Sequence, residues 1–156
     1  MKTELILVGK TVSKELTSLF NDYCSRLTHY MPLNVTVIPE LKNTKSLSEE
    51  QQKVDEGELI MRQLQSSDVV VLLDEHGKEP RSIELADWLV KKQATAKRLV
   101  FVIGGPYGFS EAVYRRANEK LSLSRLTFSH QMVRLIFVEQ LYRACTIIKG
   151  EPYHHE

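Results

Sequence analysis

The sequence predicts an α/β fold in which a mostly parallel sheet is flanked by helices. Two apolar runs, Asp68–Leu73 (DVVVLL) and Leu99–Ile103 (LVFVI), have the length of strands and lack an alternation of apolar and polar residues. Such runs are typical of strands buried on both faces, as in parallel sheets. Strand-like and helix-like segments alternate along the chain, which indicates repeated strand–helix units. The length of 156 residues predicts one domain, residues 1–156.

The strands are predicted from short apolar runs that end in glycine, proline or polar residues. The segment Asp74–Pro80 (DEHGKEP) is polar, and it predicts a turn after the third strand. A short serine-spaced segment, Leu121–Leu126, precedes the last helix. The predicted strands are Glu4–Val8, Val35–Ile38, Asp68–Leu73 and Leu99–Ile103.

The helices are predicted from apolar residues at helical spacing and from the residues that cap them. Ser13, Ser48 and Ser110 stand at N-cap positions, and Ser48-Glu49-Glu50-Gln51 has the capping-box pattern. The last helix is apolar on more than one side, so it needs more cover than one flank of a sheet provides. The predicted helices run from the Ser13 cap to Leu27, from Ser48 to about Gln65, over Ser82–Gln93, from Ser110 through Ala117 and over Gln131–Lys149.

Composition indicates a soluble globular protein, because 42% of the residues are hydrophobic and 26% are charged. A formal net charge of +1 gives no argument for a nucleic-acid partner, although the C-terminal third is mildly basic. No signal peptide and no apolar run of membrane-spanning length is recognised. The two cysteines, Cys24 and Cys145, fall on predicted helices and are interpreted as reduced, packed thiols of a cytoplasmic protein.

Three loops leave the carboxyl ends of the predicted strands or precede the last helix. They are Asp74–Pro80, Gly104–Gly108 and Thr127–His130. Ligands of open α/β sheets bind at the carboxyl ends of the strands, so the sequence predicts a binding site where these loops meet.

The glycine-rich turn Gly104-Gly105-Pro106-Tyr107-Gly108 follows a buried strand and precedes a capped helix. Glycines there allow backbone amides to approach a ligand closely, but the pattern is neither GxGxxG nor a P-loop. The alternative is a tight turn without a ligand. Asp74, at the end of the preceding strand, has two interpretations: it holds a ribose hydroxyl, or it caps its own turn.

Charged residues on the apolar last helix also have two interpretations. Glu139 and Arg143 are spaced as an intrahelical ion pair, while Arg134 needs a buried partner or a phosphate-rich ligand. The wide apolar face of this helix predicts packing against another subunit.

Histidines are the candidate proton carriers because they titrate near neutral pH. They are His130 and the adjacent pair His154 and His155 in a tail that is either frayed or folded back over a site. No metal site is predicted, since no third ligand has a suitable spacing.

A set of ordered motifs resembles a known family across essentially the whole chain. It resembles the ribosomal RNA large subunit methyltransferase H (RlmH) family, pseudouridine N3-methyltransferases of the SPOUT superfamily. Leu5–Gly9 and Leu73-Asp74 with Gly77-Lys78 fit the same family. The motifs are Ile103–Gly108 (IGGPYG), Leu121–Ser124 (LSLS), Thr127–Gln131 (TFSHQ), Arg134, Glu139–Ala144 (EQLYRA) and Pro152–His154 (PYH).

The resemblance implies a C-terminal trefoil knot, S-adenosylmethionine as cofactor and a homodimer. It implies methylation of N3 of a pseudouridine in 23S rRNA within the assembled ribosome. The residues it assigns to the cofactor are Leu73, Gly104, Gly105, Ser122, Leu123, Ser124, Arg125, Leu126, Thr127 and Phe128.

The resemblance also implies which residues face the nucleotide: His130, Arg134, Arg143, Tyr153 and His154. On this basis we expect His154 to accept the N3 proton, Tyr153 to position the base, and the two arginines to grip the RNA backbone. The alternatives are a non-catalytic nucleotide- or RNA-binding module, and a SPOUT methyltransferase that acts on tRNA or another rRNA site.

Overall fold

A computed structural model describes residues 1–155 of the chain. Its centre is a five-stranded sheet in the order β2-β1-β4-β3-β5, and every neighbouring pair of strands is parallel. This arrangement confirms the predicted α/β class with a parallel sheet. The strands are β1 (Lys2–Val8), β2 (Leu33–Ile38), β3 (Val69–Lys78), β4 (Arg98–Ile103) and β5 (Glu119–Leu121).

Helices cover both faces of the sheet. On one face α1, α3 and α5 enclose a core with Leu5, Phe101 and Phe137, and on the other face α2 and α4 cover Ile6 and Val102. None of the helices within residues 1–155 has the length and apolarity that a membrane span requires. The helices are α1 (Lys14–Leu27), α2 (Glu49–Arg62), α3 (Ser82–Thr95), α4 (Glu111–Arg116) and α5 (Met132–Ile148), with a 3-10 turn at Thr44–Ser46.

The three serine caps are confirmed by the structure. Ser13, Ser48 and Ser110 each accept a hydrogen bond from the backbone N–H three residues later, over 3.3, 3.1 and 3.3 Å. Because an N-cap satisfies a donor that the helix itself leaves unpaired, these serines set where α1, α2 and α4 begin.

The predicted turn at Asp74–Pro80 is wrong over most of its length, because β3 continues to Lys78. The register with β5 shifts between Leu73 and Lys78, which both lie opposite Leu121, so the residues between them form a bulge. Beyond it, the Ser122 N–H donates to the Lys78 carbonyl over 2.8 Å. Gly77 allows this approach, since a Cβ there would lie 2.6 Å from the backbone carbon of Lys120. The polar residues thus lie in a bulge, and pairing with β5 resumes at Lys78.

The two cysteines match the prediction of packed thiols. Cys145 is buried and Cys24 is half-buried, and both are free. Burial raises the pKa of each thiol to about 11, so neither carries the thiolate that nucleophilic chemistry needs at neutral pH.

Arg134 ties the start of α5 to the end of β1. Its side chain is 0% exposed, and its Nη2 and Nη1 donate to the carbonyls of Val8 and Gly9 over 2.7 and 2.9 Å. Further bonds reach Thr11 Oγ1 and the His130 carbonyl. The expectation that Arg134 grips RNA is therefore wrong for this fold, because the guanidinium is enclosed by its own chain and bonded within it.

We expect Arg134→Ala to destabilise the protein by about 3 kcal/mol, because it leaves buried carbonyl acceptors unpaired and opens a cavity. Denaturant unfolding measures this change. The control is Arg115→Ala, which removes an exposed ion pair with Glu111 on α4 and should change stability by no more than about 0.5 kcal/mol. Equal effects of the two substitutions would contradict the role assigned to Arg134.

Candidate active site

A cavity opens at the carboxyl ends of β3 and β4. It has a volume of about 350 Å³, within the range of small-molecule sites. All three predicted loops contribute to its wall, so their convergence is confirmed. The wall combines apolar and polar groups, and its residues include Leu73, Asp74, Ile103, Gly104, Gly105, Phe109, Tyr114, Leu123, Phe128 and His130.

Most residues that the resemblance assigned to the cofactor line this cavity, and two do not. Ser122 is buried behind the wall, where its hydroxyl donates to the Ser124 carbonyl over 2.8 Å. Arg125 points away and pairs with Glu79 over 3.0 Å. The lining members of the set are Leu73, Gly104, Gly105, Leu123, Ser124, Leu126, Thr127 and Phe128.

The glycine turn packs too closely against its neighbours to admit side chains. A Cβ on Gly104 would lie 2.9 Å from the ring of Phe109, and one on Gly105 would lie 2.9 Å from a carboxylate oxygen of Glu56 on α2. Burial raises the pKa of Glu56, although a hydrogen bond from the Gly105 backbone opposes that shift. The turn is thus held between an aromatic ring and an α2 carboxyl, with its backbone facing the cavity.

Asp74 hydrogen-bonds to the backbone of its own strand, β3, which matches the capping interpretation in its bond but not in the predicted turn. One carboxylate oxygen accepts the backbone N–H of His76 over 2.8 Å, and the other accepts the hydroxyl of Tyr114. Burial raises the pKa of Asp74, but the hydrogen bonds from Tyr114 and His76 outweigh it and lower the pKa overall. Asp74 is therefore an anion in the cavity wall, and each of its two oxygens is already engaged.

Tyr114 links this carboxylate to the glycine turn. Its ring stacks edge to face on Phe109 with 5.7 Å between the ring centres, and Phe109 in turn covers Gly104. The contacts join the end of β3, the start of α4 and the turn after β4 into one wall. Sequence reasoning missed Tyr114 and Phe109, because only their position in space brings them to the cavity.

The C-terminal tail, residues 149–155, is folded back and is not frayed. Gly150 adopts φ +70°, and the backbone N–H groups of Gly150 and Glu151 bond to the carbonyls of Ile147 and Thr146 over 3.0 and 2.9 Å. This is the Schellman arrangement of a helix end, and it reverses the chain. The tail then packs beside α5 and α1.

Glu139 on α5 accepts hydrogen bonds from the same helix and from the tail. Its Oε1 accepts Arg143 Nη2 over 2.6 Å and the Tyr153 hydroxyl over 2.9 Å. Arg143 stacks on the Tyr153 ring at 4.8 Å and lies 3.2 Å from Nδ1 of His154. The predicted ion pair of Glu139 with Arg143 is confirmed, and it is one part of a larger network.

The tail and the cavity lie at opposite ends of α5. His130 and Val133 line the cavity at the start of the helix, while Arg143 lies ten residues further, about 15 Å along the axis. Arg143, Tyr153 and His154 are absent from the cavity wall among the described residues. Of the residues expected at the nucleotide, the fold brings only His130 to the cavity of the same chain.

No group of three or more His, Cys, Asp or Glu side chains in the described part of the chain is arranged to hold a metal ion. His154 meets an arginine and His76 meets Asp74, so the histidines at these positions face single partners.

Tyr114→Phe should make the protein less sensitive to acid. The folded-state pKa of Asp74 lies below its unfolded value of about 4, so its stabilising effect is present above that pH and is lost as the pH falls through the folded pKa. Removing the Tyr114 hydroxyl reduces the shift, so the stability difference between pH 7 and acid should shrink.

Denaturant unfolding at neutral and acidic pH measures this difference. The control is Tyr107→Phe, because Tyr107 lies in the same wall, is exposed and has no hydrogen bond to its hydroxyl among the described residues. Unchanged acid sensitivity in Tyr114→Phe would show that the Tyr114 hydroxyl does not lower the pKa of Asp74.

Comparison with known proteins agrees with this geometry. The family model described as "Predicted SPOUT methyltransferase" matches residues 1–154. The chain is 63% identical to ribosomal RNA large subunit methyltransferase H of Bacteroides thetaiotaomicron, 61% to that of Phocaeicola vulgatus and 54% to that of Flavobacterium johnsoniae. Each alignment covers the whole of both chains. The chain therefore belongs to the SPOUT methyltransferases, within the family of ribosomal RNA large subunit methyltransferase H.

Proposed function

We propose that this methyltransferase transfers a methyl group from S-adenosylmethionine to N3 of a pseudouridine in 23S rRNA of the assembled ribosome. The cavity at the carboxyl ends of β3 and β4 is the observation that carries the proposal, because it combines a glycine turn with the loop that precedes α5. The relatives' name, ribosomal RNA large subunit methyltransferase H, supports the class of substrate. A cytoplasmic location follows from such a substrate.

The lining of the cavity fits the proposed cofactor. Backbone groups of Gly104 and Gly105 suit the polar parts of a nucleoside, and Leu73 and Phe128 offer apolar walls to an adenine ring. The Asp74 carboxylate contributes negative charge near a ligand that carries a sulfonium. Bound S-adenosylmethionine supplies an activated methyl group, so the protein mainly has to align N3 with it.

We infer that the active site is shared between two copies of the chain. The residues that would face the nucleotide, Arg143, Tyr153 and His154, lie about 15 Å along α5 from the cavity of their own chain. A second copy can bring its tail to that cavity, and the partly exposed apolar residues Met132 and Ile136 on α5 are suited to such contact.

In the shared site, His130 lies beside the cofactor and Arg143 holds the nucleotide. Arg143 is the better candidate of the two predicted arginines, because its side chain is 25% exposed while Arg134 is enclosed. Tyr153 would position the base from the partner's tail.

The direct test is transfer of labelled methyl from S-adenosylmethionine into intact ribosomes, with separate subunits and stripped rRNA as controls. Mass spectrometry locates the label in ribosomes with and without the target pseudouridine. We expect label only at N3 of that pseudouridine in intact particles. Label in tRNA or at another rRNA position would replace the proposed substrate, and cofactor binding without transfer to any RNA would favour a binding module.

Mixing two inactive variants tests the shared site. Gly104→Val crowds the cavity against Phe109, and Arg143→Ala removes the nucleotide contact of the tail. Random exchange of subunits makes half of the dimers mixed, each with one intact site, so we expect about a quarter of the wild-type rate. A site built within one chain would give no recovery, since both copies would be defective.

A further inference from the structure

The Glu139 carboxylate determines the direction of the hydrogen bonds made by the Tyr153 hydroxyl. It accepts the Tyr153 hydroxyl over 2.9 Å, so the phenolic proton lies between the two residues. The Tyr153 oxygen is also 3.2 Å from the hydroxyl of Tyr23 on α1. Because Tyr153 donates to Glu139, Tyr23 is the donor of this second bond. Burial and these two partners raise the pKa of Tyr153, so it keeps its proton near neutral pH.

The contact with Arg143 determines the tautomer of His154. A guanidinium only donates hydrogen bonds, so Nδ1 of His154, 3.2 Å from Arg143 Nη1, must be the acceptor. The imidazole proton of the neutral ring is then on Nε2. That nitrogen is covered by protein and has no partner among the described residues. Neither nitrogen of His154 has a free lone pair in this arrangement.

The two carboxylates beside the tail, Glu139 and Glu151, are both engaged in hydrogen bonds. The charged or titratable side chains that face the tail come from α1 and the turn after it, from α5 and from the tail itself. Tyr30 donates to Glu151 over 2.6 Å, and Arg26 lies over the rings of Tyr23 and Tyr142. Those with contacts in this group are Tyr23, Arg26, Tyr30, Glu139, Tyr142, Arg143, Glu151, Tyr153 and His154, and the tail also carries the exposed Lys149 and His155.

We propose that Glu139 is a positioning residue that makes the tail a hydrogen-bond-donating surface, and that the N3 proton of the substrate leaves to water instead of the tail. The proposal rests on the proposed function. Two of the five N–H donors of Arg143 are used within the network, on Glu139 and His154. The remaining donors are available to a uracil oxygen, where the guanidinium stabilises the charge of the deprotonated imide. His154 therefore positions Arg143. This role replaces the expectation that His154 acts as the base.

The reaction balances without a basic side chain. Hydroxide or water takes the N3 proton, and the negative charge spreads over N3 and the two ring oxygens. The N3 lone pair then forms the bond to the methyl carbon as the carbon–sulfur bond breaks, and that electron pair stays on sulfur. The positive charge of the sulfonium is neutralised in the same step.

The pH dependence of single-turnover transfer tests the route of the proton. We expect the logarithm of the rate to rise with a slope of about 1 through the neutral range, because the rate follows ionisation of the substrate imide. His154→Gln keeps an acceptor for Arg143, so it should keep the same profile. A plateau near pH 7 in the wild type that is lost in His154→Gln would overturn the proposal, because it would identify His154 as the base.

Glu139→Gln tests the positioning role. It weakens the hold on Arg143 and Tyr153, so we expect transfer to fall about tenfold or more while cofactor affinity changes by less than about twofold. The matched control is Glu111→Gln, which breaks an exposed i,i+4 pair with Arg115 outside the cavity wall. An unchanged transfer rate in Glu139→Gln, or an equal loss in both variants, would overturn the role of Glu139.

Nitrogen-15 NMR of the histidine rings provides a readout that does not depend on activity. We expect the Nε2–H tautomer for His154, assigned by its disappearance in His154→Gln, and a changed signal in Glu139→Gln. An Nδ1–H tautomer in the wild type would refute the network even if methyl transfer is observed. The Nε2–H tautomer without transfer to any RNA would instead count against the proposed function alone.

Discussion

The bonds from the buried Arg134 guanidinium to the end of β1 hold α5 in place, and the rest of the site depends on that helix. Val8 and Gly9 offer carbonyls at the end of β1, and Arg134 meets both over less than 3 Å. The cavity loop enters α5 just before this point, and the tail leaves it at the other end. A shift of the helix would therefore move the cavity wall and the tail together.

The parallel sheet explains why the cavity forms where it does. All strands point the same way, so the connections that follow β3 and β4 open on one edge, and the loop before α5 returns to it. Asp74, Tyr114 and Phe109 lock these segments to one another. The cavity is therefore a pre-formed space whose wall is held by contacts between separate elements.

The carboxylates of Asp74, in the cavity wall, and Glu139, beside the tail, both accept hydrogen bonds from neighbouring side chains. Asp74 is engaged by Tyr114 and His76, and Glu139 is engaged by Arg143 and Tyr153. An engaged carboxylate orients the side chains that donate to it. This distribution suits a methyl transfer in which alignment and charge stabilisation supply most of the catalysis.

The length of α5 separates the cavity from the tail within one chain. The cavity at the start of α5 and the group of Arg143, Tyr153 and His154 towards its end are too far apart to meet within the same molecule. In the shared site that we propose, the tail of a second copy meets the cavity, and the partly exposed apolar residues Met132 and Ile136 of α5 are suited to that contact.

The sequence by itself determined the alternation of strands and helices, the serine caps and the loops that form the cavity. Buried strands such as Leu99–Ile103 and caps such as Ser110 have local signals, because hydrophobic periodicity and backbone capping act over a few residues. The glycine turn and the Glu139–Arg143 pair were found in the same way.

Tertiary structure alone decided the continuation of β3, the role of Arg134 and the direction of the tail hydrogen bonds. The polar segment after Leu73 bulges, and β3 continues to Lys78 because that residue pairs with Leu121 of β5. Arg134 is satisfied by carbonyls more than a hundred residues away, and Tyr153 by partners on two helices. These are contacts between segments remote in sequence, and no local pattern encodes them; whether an arginine binds a ligand or holds the fold depends on which groups the folded chain brings within hydrogen-bond distance.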